Sequence, residues 1–253
     1  MRFASLGSGS RGNGTLVQAG GTLVLVDCGF SVKAVEQRMD ELSVTPEQLD
    51  ALLVTHEHSD HCAGVAALSR KYDIPVYLTR GTEASGRMKG CAQQVFFHSE
   101  AGFRVGDIDV LPIAVPHDAR EPCQFVLQSQ GLRLGILTDL GSITAAVVGH
   151  YRDCHGLLLE FNHDEEMLAS GPYPPPLKRR VGGDWGHLNN RQAAALLAEL
   201  QHEALRHLVI AHISEKNNQR ERVEDALFPV YDAVERVVWA AQDAGFGWLA
   251  LDD

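Results

Sequence analysis

One short segment constrains this chain more than any other feature: residues 56–61 read HEHSDH and directly follow an apolar stretch that predicts a buried strand. Side chains alternate along a strand, so His56 and His58 can point to the same side. The chain then turns, and Asp60 and His61 can face a second point close by. Imidazole is a good ligand for zinc, and a carboxylate can bind or bridge metal ions. The segment therefore predicts a metal-binding site at the end of a strand.

Short apolar segments predict strands on both sides of this site. Antiparallel hairpins come early and strand–helix units surround the motifs. This order predicts a single domain, residues 1–253, that folds as a sandwich of two sheets with helices outside. The predicted strands are Arg2–Leu6, Thr15–Ala19, Thr22–Asp27, Leu49–Thr55, Pro75–Leu78, Gln94–Phe97, Phe103–Val105, Asp109–Val115, Cys123–Gln128, Leu132–Thr138, Gly156–Glu160, Leu205–Ala211, Val237–Ala240 and Phe246–Leu251.

Helical periodicity and capping signals predict fewer helices. One of them, Glu221–Glu235, contains Pro229, which should break it. The prolines of residues 171–176 predict a stiff loop or a polyproline segment. The other predicted helices are one capped by Ser31 that runs to Leu42, one starting at Thr45-Pro46, and Ala63–Tyr72, Ser142–Tyr151 and Asn189–Gln201.

The composition is ordinary for a soluble globular protein, with 45% hydrophobic and 22% charged residues in a chain of 253. No apolar run reaches the length of a membrane span, and the N-terminus lacks the apolar core of a signal peptide. We therefore expect a cytoplasmic protein that does not bind membranes. The five cysteines include no CxxC pair, which predicts ordinary thiols and no disulfide framework.

The formal net charge of −11 argues against a protein that coats nucleic acid indiscriminately. It does not exclude a nuclease, because bound metal ions add positive charge where a phosphate must sit. Such an enzyme needs only a local basic patch. Lys178, Arg179 and Arg180, with Arg191 just beyond, are the candidates for this patch. The alternative is that they form a solvated charged turn.

The HEHSDH segment resembles the HxHxDH signature of the metallo-β-lactamase superfamily, which is specific when it follows an apolar strand and precedes a helix. The resemblance implies an α/β fold, the four-layer αβ/βα sandwich, with two metal ions at one edge. It also implies three further ligands, each of which follows a strand: His117, Asp139 and His212. The implied ligand sets are His56, His58 and His117 for one metal, and Asp60, His61 and His212 for the other, with Asp139 between them.

Motifs from Met1 to about Asn218 are similar to those of the WalJ/YycJ group of bacterial proteins. The activity suggested for that group is degradation of DNA by a 5′→3′ exonuclease. Two positions depart from its pattern, since Asn189 and Gly14 stand where Ser is expected. The motifs are LGSGSRGNG from residue 6, PHDA from 116, TDLG from 138, EFNHD from 160, YP from 173, LKRR from 177, GHLNN from 186 and AHIS from 211.

A wider resemblance to ribonuclease Z-like nucleases implies a Glu that ends one strand and a later His that opens a helix. Glu160 and His187 match these positions, so we expect a pair of side chains beside the metal ions. The alternative is that His187 only neighbours a helix cap and that Glu160 supports other ligands. His163 is a candidate for substrate contact or for such support. Asp27 is expected to orient the histidines.

The glycine-rich loop, residues 7–14, has three open interpretations. Its backbone N–H groups can surround a phosphate, it can pack against the metal site, or it can be a permissive tight turn. It does not match a phosphate-binding Walker loop, because no Gly-Lys-Ser/Thr sequence follows.

The resemblance implies a hydrolytic mechanism in which two metal ions share a bridging hydroxide that attacks phosphorus. Asp60 is a candidate to accept the proton of the nucleophile as well as to bind metal. His187, oriented by Glu160, is expected to protonate the leaving oxygen. Zinc fits the imidazole-rich ligands, and manganese is an alternative activating ion. The substrate that the resemblance implies is DNA, with RNA as an alternative, and the sequence leaves the oligomeric state open.

Two other functions fit the same residues. One is hydrolysis of a small phosphodiester or ester, such as a cyclic nucleotide, a phosphonate-pathway phosphodiester or a thioester. The other is a metal-stabilised regulatory or interaction protein with little turnover, which a broken ligand set would favour. Redox chemistry in the same metal cage would usually need a flavin module, for which the chain leaves no room.

Overall fold

The computed structural model describes residues 1–252, in which strands alternate with helices much as the sequence predicts. The strands are β1 (Arg2–Gly7), β2 (Gly14–Ala19), β3 (Thr22–Val26), β4 (Ala51–Leu53), β5 (Pro75–Leu78), β6 (Gln93–Phe96), β7 (Phe103–Val105), β8 (Ile108–Ala114), β9 (Cys123–Ser129), β10 (Leu132–Leu137), β11 (Gly156–Glu160), β12 (His207–Ala211), β13 (Val237–Trp239) and β14 (Phe246–Ala250). The helices are α1 (Val32–Glu41), α2 (Ser59–Cys62), α3 (Val65–Tyr72), α4 (Arg80–Ala84), α5 (Ala145–Tyr151), α6 (Glu165–Ser170), α7 (Pro175–Val181), α8 (Asn190–Leu200) and α9 (Arg220–Leu227).

The strands form two seven-stranded sheets. The first has the order β14-β1-β2-β3-β4-β5-β6, and the second has the order β13-β12-β11-β10-β9-β8-β7. Each sheet joins an antiparallel part to a parallel part, since β3 to β6 run parallel in the first sheet and β10 to β13 in the second. Because β4, β10, β11 and β12 end at one edge of the sandwich, the segments that follow them can meet there.

Three clusters of buried apolar side chains define four layers. The central cluster joins the facing sides of both sheets, with Val24 of the first sheet and Phe125 of the second among its members. A second cluster packs α1 and α3 against the outside of the first sheet, and a third packs α5, α8 and α9 against the second sheet. The layers are therefore helix, sheet, sheet and helix, and the predicted αβ/βα sandwich is confirmed.

The prediction for residues 171–176 was wrong for the last two residues, because helix α7 begins at Pro175. Proline is tolerated in the first turn of a helix, where its missing N–H leaves no hydrogen bond unmade. Lys178, Arg179 and Arg180 consequently lie on a helix and not in a charged turn. The helix predicted for Glu221–Glu235 ends at Leu227, shortly before Pro229.

Short helices account for most other differences. Helices α4 and α6 were not predicted, and the helix expected after Thr45 is a single 3-10 turn, Pro46–Gln48. Segments of this length are too short to display helical periodicity. None of the helices within residues 1–252 is long and apolar enough to cross a membrane.

Candidate active site

The candidate site lies at the edge of the sandwich where the parallel strands end. Residues 56–61 follow β4, and the other predicted ligands follow strands of the second sheet: His117 after β8, Asp139 after β10 and His212 after β12. Glu160 is the last residue of β11. The site is thus built by both sheets, and the structure brings all seven predicted metal ligands together.

The first group of potential ligands is His56, His58 and His117, whose nearest ring nitrogens lie within 4.8 Å of one another. The Nε2 atom of His117 is 3.2 Å from Nδ1 of His58. The ring of His56 is fully buried, and its Nε2 atom has no hydrogen-bond partner among the residues described. A buried imidazole nitrogen without a partner is costly, and a metal ion would satisfy it.

The second group is Asp60, His61 and His212. Oxygen Oδ2 of Asp60 is 3.5 Å from Nε2 of His61 and 3.5 Å from Nε2 of His212. Neither ring nitrogen of His212 makes a well-aligned hydrogen bond within the described chain, although the ring is buried. These three side chains point potential metal-binding atoms at one point and lie too far apart for good hydrogen bonds with one another. The arrangement therefore fits a bound cation.

Asp139 connects the two groups. Its oxygen Oδ2 is 3.1 Å from Nε2 of His61, and Oδ1 is 3.8 Å from Nε2 of His117 and 3.6 Å from Nδ1 of His212. The side chain is 2% exposed. A buried carboxylate in this position can bridge two cations a few ångströms apart, so the residues present fit a dinuclear centre.

Opposing charges dominate the electrostatics of the site. Burial lowers the pKa of His212, but the negative charge of Asp139 and contacts with Asp60 and Glu160 outweigh burial and raise the pKa to about 10. Burial raises the pKa of Asp139, yet His212 and His61 hold it well below its usual value. Burial and the charge of His61 keep the pKa of His56 well below 6.5. Bound cations would replace the protons that balance these carboxylates.

Buried groups behind the cluster orient the imidazoles. Oxygen Oδ2 of Asp27 is 2.7 Å from Nδ1 of His61 and accepts a 2.8 Å hydrogen bond from the Thr55 hydroxyl. Nδ1 of His117 donates to the carbonyl oxygen of Gly186 at 3.0 Å. Bonds of this kind place the ring proton on Nδ1 and leave the lone pair of Nε2 free for a metal ion. Asp27 therefore lies where an orienting residue was expected.

The glycine-rich loop packs against the metal ligands. The side-chain amide of Asn13 lies 3.1 Å from Nε2 of His61, and the Ser8 hydroxyl accepts a 3.0 Å hydrogen bond from the backbone N–H of His212. The loop is held from behind by Gln242, whose side chain donates to the Gly12 carbonyl and accepts from the Arg11 N–H. Of the three interpretations open from the sequence, the geometry favours packing against the site.

Glu160 and His187 form the expected pair. Nδ1 of His187 is 3.0 Å from Oε2 of Glu160, which is fully buried at the end of β11. The other oxygen of Glu160 accepts hydrogen bonds from the backbone N–H groups of Leu140 and Leu188. His187 is 18% exposed and lies 3.8 Å from Asp139, so its ring reaches both the metal ligands and solvent.

A cleft of about 310 Å³ opens over the cluster. Arg180 lines it and is hydrogen-bonded to Asp118, which itself lies 3.7 Å from His58 and 3.6 Å from His117. Burial raises the pKa of Asp118, but Arg180 outweighs burial and lowers it. The cleft is lined at other points by Ser10, Arg87, Asn162 and Tyr173.

The other predicted substrate contacts lie away from the cleft. The ammonium group of Lys178 donates to the carbonyl of Ala169, and Arg179 is exposed. His163 is 2% exposed, and burial lowers its pKa to about 4. The lining residue Arg87 was missed because no motif surrounds it, whereas Asp118 directly follows His117 in the PHDA motif and could have been found there.

The sandwich and the convergence of imidazoles and carboxylates at its edge define a metal-dependent hydrolase. The family model described as "Beta-lactamase superfamily domain" matches residues 22–213. The chain therefore belongs to the metallo-β-lactamase superfamily, as its motifs predicted. The solved structure of YhfI from Bacillus subtilis, a metallo-β-lactamase fold protein, shares the fold with a TM-score of 0.75 and 16% identity, over 98% of this chain and 99% of that one.

Two curated relatives cover most of the chain. The exodeoxyribonuclease YycJ of Bacillus anthracis is 36% identical over 225 residues, which are 87% of this chain and 85% of that protein. The exodeoxyribonuclease WalJ of Streptococcus pneumoniae is 34% identical over 227 residues, which are 87% of this chain and 84% of that protein. The predicted resemblance to the WalJ/YycJ group is confirmed.

Proposed function

We propose that this chain is a nuclease that hydrolyses phosphodiester bonds of DNA with two divalent metal ions and removes nucleotides in the 5′→3′ direction. The observation that carries the proposal is Asp139, placed between two groups of converging ligands inside a cleft that also contains His187. The names of YycJ and WalJ support DNA as the substrate.

One ion would be held by His56, His58 and His117, the other by Asp60, His61 and His212, with Asp139 between the two. When bound, such ions supply a hydroxide nucleophile at neutral pH and stabilise the charge that develops on a phosphoryl oxygen. The imidazole-rich set favours zinc, and manganese is the alternative activating ion.

The proton transfers are assigned to side chains at the floor of the cleft. Asp60 is half-buried, and its carboxylate is positioned to accept the proton of the nucleophile. Glu160 accepts the Nδ1–H of His187, which orients the ring and leaves Nε2 to protonate the leaving oxygen. Arg180 lines the cleft and is assigned to bind the phosphate backbone of the DNA substrate. Lys178 and Arg179 lie on the same helix outside the cleft, where they add positive charge, and the buried His163 is assigned a supporting role beside Glu160 and His187.

The test is degradation of 5′-phosphorylated single- and double-stranded DNA, and of matched RNA, by protein of quantified metal content in zinc and in manganese. Stepwise shortening from the 5′ end by the wild type, absent in Asp139→Ala, is the expected result. A chromogenic small phosphodiester runs alongside as a substrate without a polynucleotide chain.

The same experiment separates the alternative functions. Hydrolysis of the chromogenic diester without cleavage of DNA or RNA would replace the nuclease with a small-phosphodiester hydrolase. Two bound ions with no turnover of either substrate would favour a metal-stabilised regulatory protein. Cleavage of RNA alone would keep the chemistry and change the polymer.

A further inference from the structure

Two arginines line the cleft, and only one of them forms an ion pair with a carboxylate of the described chain. Arg180 is ion-paired with Asp118. Arg87, on the segment between α4 and β6, also lines the cleft, but within residues 1–252 no carboxylate lies at ion-pair distance from its guanidinium. A guanidinium that lines the cleft without an ion-pair partner among these residues, in a chain of net charge −11, is free to bind an anionic ligand.

The backbone under Arg87 is anchored. The next residue, Met88, is fully buried in the core outside the first sheet, and its carbonyl accepts a 2.9 Å hydrogen bond from the side chain of Gln94. The N–H of Arg87 donates to the Ser85 hydroxyl at 3.2 Å. The side chain itself is exposed, so a fixed base presents a free guanidinium to the cleft.

The positive charge of Arg87 lies close to the metal-binding segment without belonging to it. Arg87 lines the same cleft as the potential ligands His58, Asp60, Asp139 and His212. None of the groups of converging ligand atoms at the site includes it. The cation is therefore near the reacting centre but separate from the ligands that would hold the metal ions.

We propose that Arg87 binds a phosphate group of the substrate strand adjacent to the phosphate that is hydrolysed. This inference rests on the proposed nuclease function. A guanidinium binds phosphate with paired hydrogen bonds as well as charge, and a polynucleotide offers a second phosphate next to the first. A small diester has no second phosphate, so Arg87 distinguishes a polynucleotide from a single diester bond.

The test compares Arg87→Gln with Lys89→Gln, an exposed cation two residues further along the same segment. The probe is a short fluorescent single strand with phosphorothioate linkages, which slow cleavage, titrated at several salt concentrations onto metal-loaded protein. We expect Arg87→Gln to weaken binding about ten-fold. The slope of log K against log salt concentration should become shallower by about 0.7, the value for one phosphate contact on a single strand. Arg87→Lys should recover part of the affinity, and Lys89→Gln should bind as the wild type does.

Metal content and kcat/KM for a chromogenic small diester should stay unchanged in Arg87→Gln. Loss of either in parallel with DNA binding would overturn the inference and make Arg87 a support of the metal cluster. Unchanged affinity and salt slope, in a protein whose wild type degrades DNA, would overturn the inference alone. Failure of the proposed function is visible without any variant, as a wild type that hydrolyses the small diester but neither binds nor cleaves the oligonucleotide.

Discussion

Asp139 is the residue that contacts both groups of potential metal ligands. Because its two oxygens approach imidazoles of both groups, we expect Asp139→Ala to lose at least one metal ion per chain and to reduce turnover by about a thousand-fold or more. Elemental analysis of the purified variant measures the first effect. Asp109→Ala, at an exposed carboxylate on β8, is the matched control. Full retention of both ions in Asp139→Ala would contradict the bridging position.

His187 can be distinguished from a metal ligand by the leaving group of the substrate. We expect His187→Ala to keep both ions and to cut DNA about 10²- to 10⁴-fold more slowly, the usual contribution of a general acid. A nitrophenolate leaving group needs little protonation, so hydrolysis of a nitrophenyl diester should suffer far less. Equal losses on both substrates, or loss of metal, would make His187 a structural residue.

Some residues of the site could be predicted from the sequence and others could not. Histidines and carboxylates in a short segment after an apolar strand could be assigned because their spacing is rare by chance. Arg87 could not, because most arginines are exposed, no motif surrounds this one, and the fold is what brings it to the cleft beside the buried Met88. The ion pair of Arg180 with Asp118 likewise joins residues far apart in the chain.

At the scale of elements, the strands that carry the site were predictable and the short helices around it were not. Strand β3 shows why, since Leu23 and Leu25 face the outer helices while Val24 and Val26 face the other sheet. A strand buried on both faces reads as a continuous apolar run. The capping box of α8 is a second example, because Asn189 accepts from the N–H of Gln192 as the expected Ser would.

The loop between α7 and α8 offers an element-scale prediction. It passes so close to Gly141 that a Cβ atom there would lie 2.3 Å from the carbonyl oxygen of Asp184. Gly141→Ala must therefore displace the loop that carries His187, and we expect at least a ten-fold loss of turnover with about 1–3 kcal/mol of lost stability. Steady-state kinetics and chemical denaturation measure the two effects.

The control for this substitution is Gly149→Ala on α5, where a Cβ atom would meet nothing within 4 Å. Alanine favours a helix by about 1 kcal/mol over glycine, so this variant should be as stable as the wild type or slightly more stable. If Gly141→Ala behaved like Gly149→Ala, the loop would not be held in place by its contact with Gly141.

For the whole molecule, the important fact is that the two sheets share one core and one set of potential ligands. Ions bound by ligands from both sheets would stabilise the folded state by mass action, by about 2.7 kcal/mol when free metal is one hundred times Kd. Removal of metal with a chelator should therefore lower Tm by roughly 5–10 °C in a chain of this size. The shared core predicts a single transition with and without metal. Calorimetry tests this, and an unchanged Tm would argue that the ions do not link the sheets.

The hydrogen bonds between Gln242 and the glycine-rich loop have a consequence for folding during synthesis on the ribosome. The loop is synthesised before residues 56–61, but the side chain that holds Arg11 and Gly12 in place follows more than two hundred residues later. Chains generally begin to fold from the N-terminus during synthesis, but this loop cannot form its final contacts until the distant Gln242 has been made. A nascent chain therefore carries most of its metal ligands long before the neighbouring loop can close on them. We therefore expect the glycine-rich loop to close on the metal ligands only after Gln242 has been synthesised.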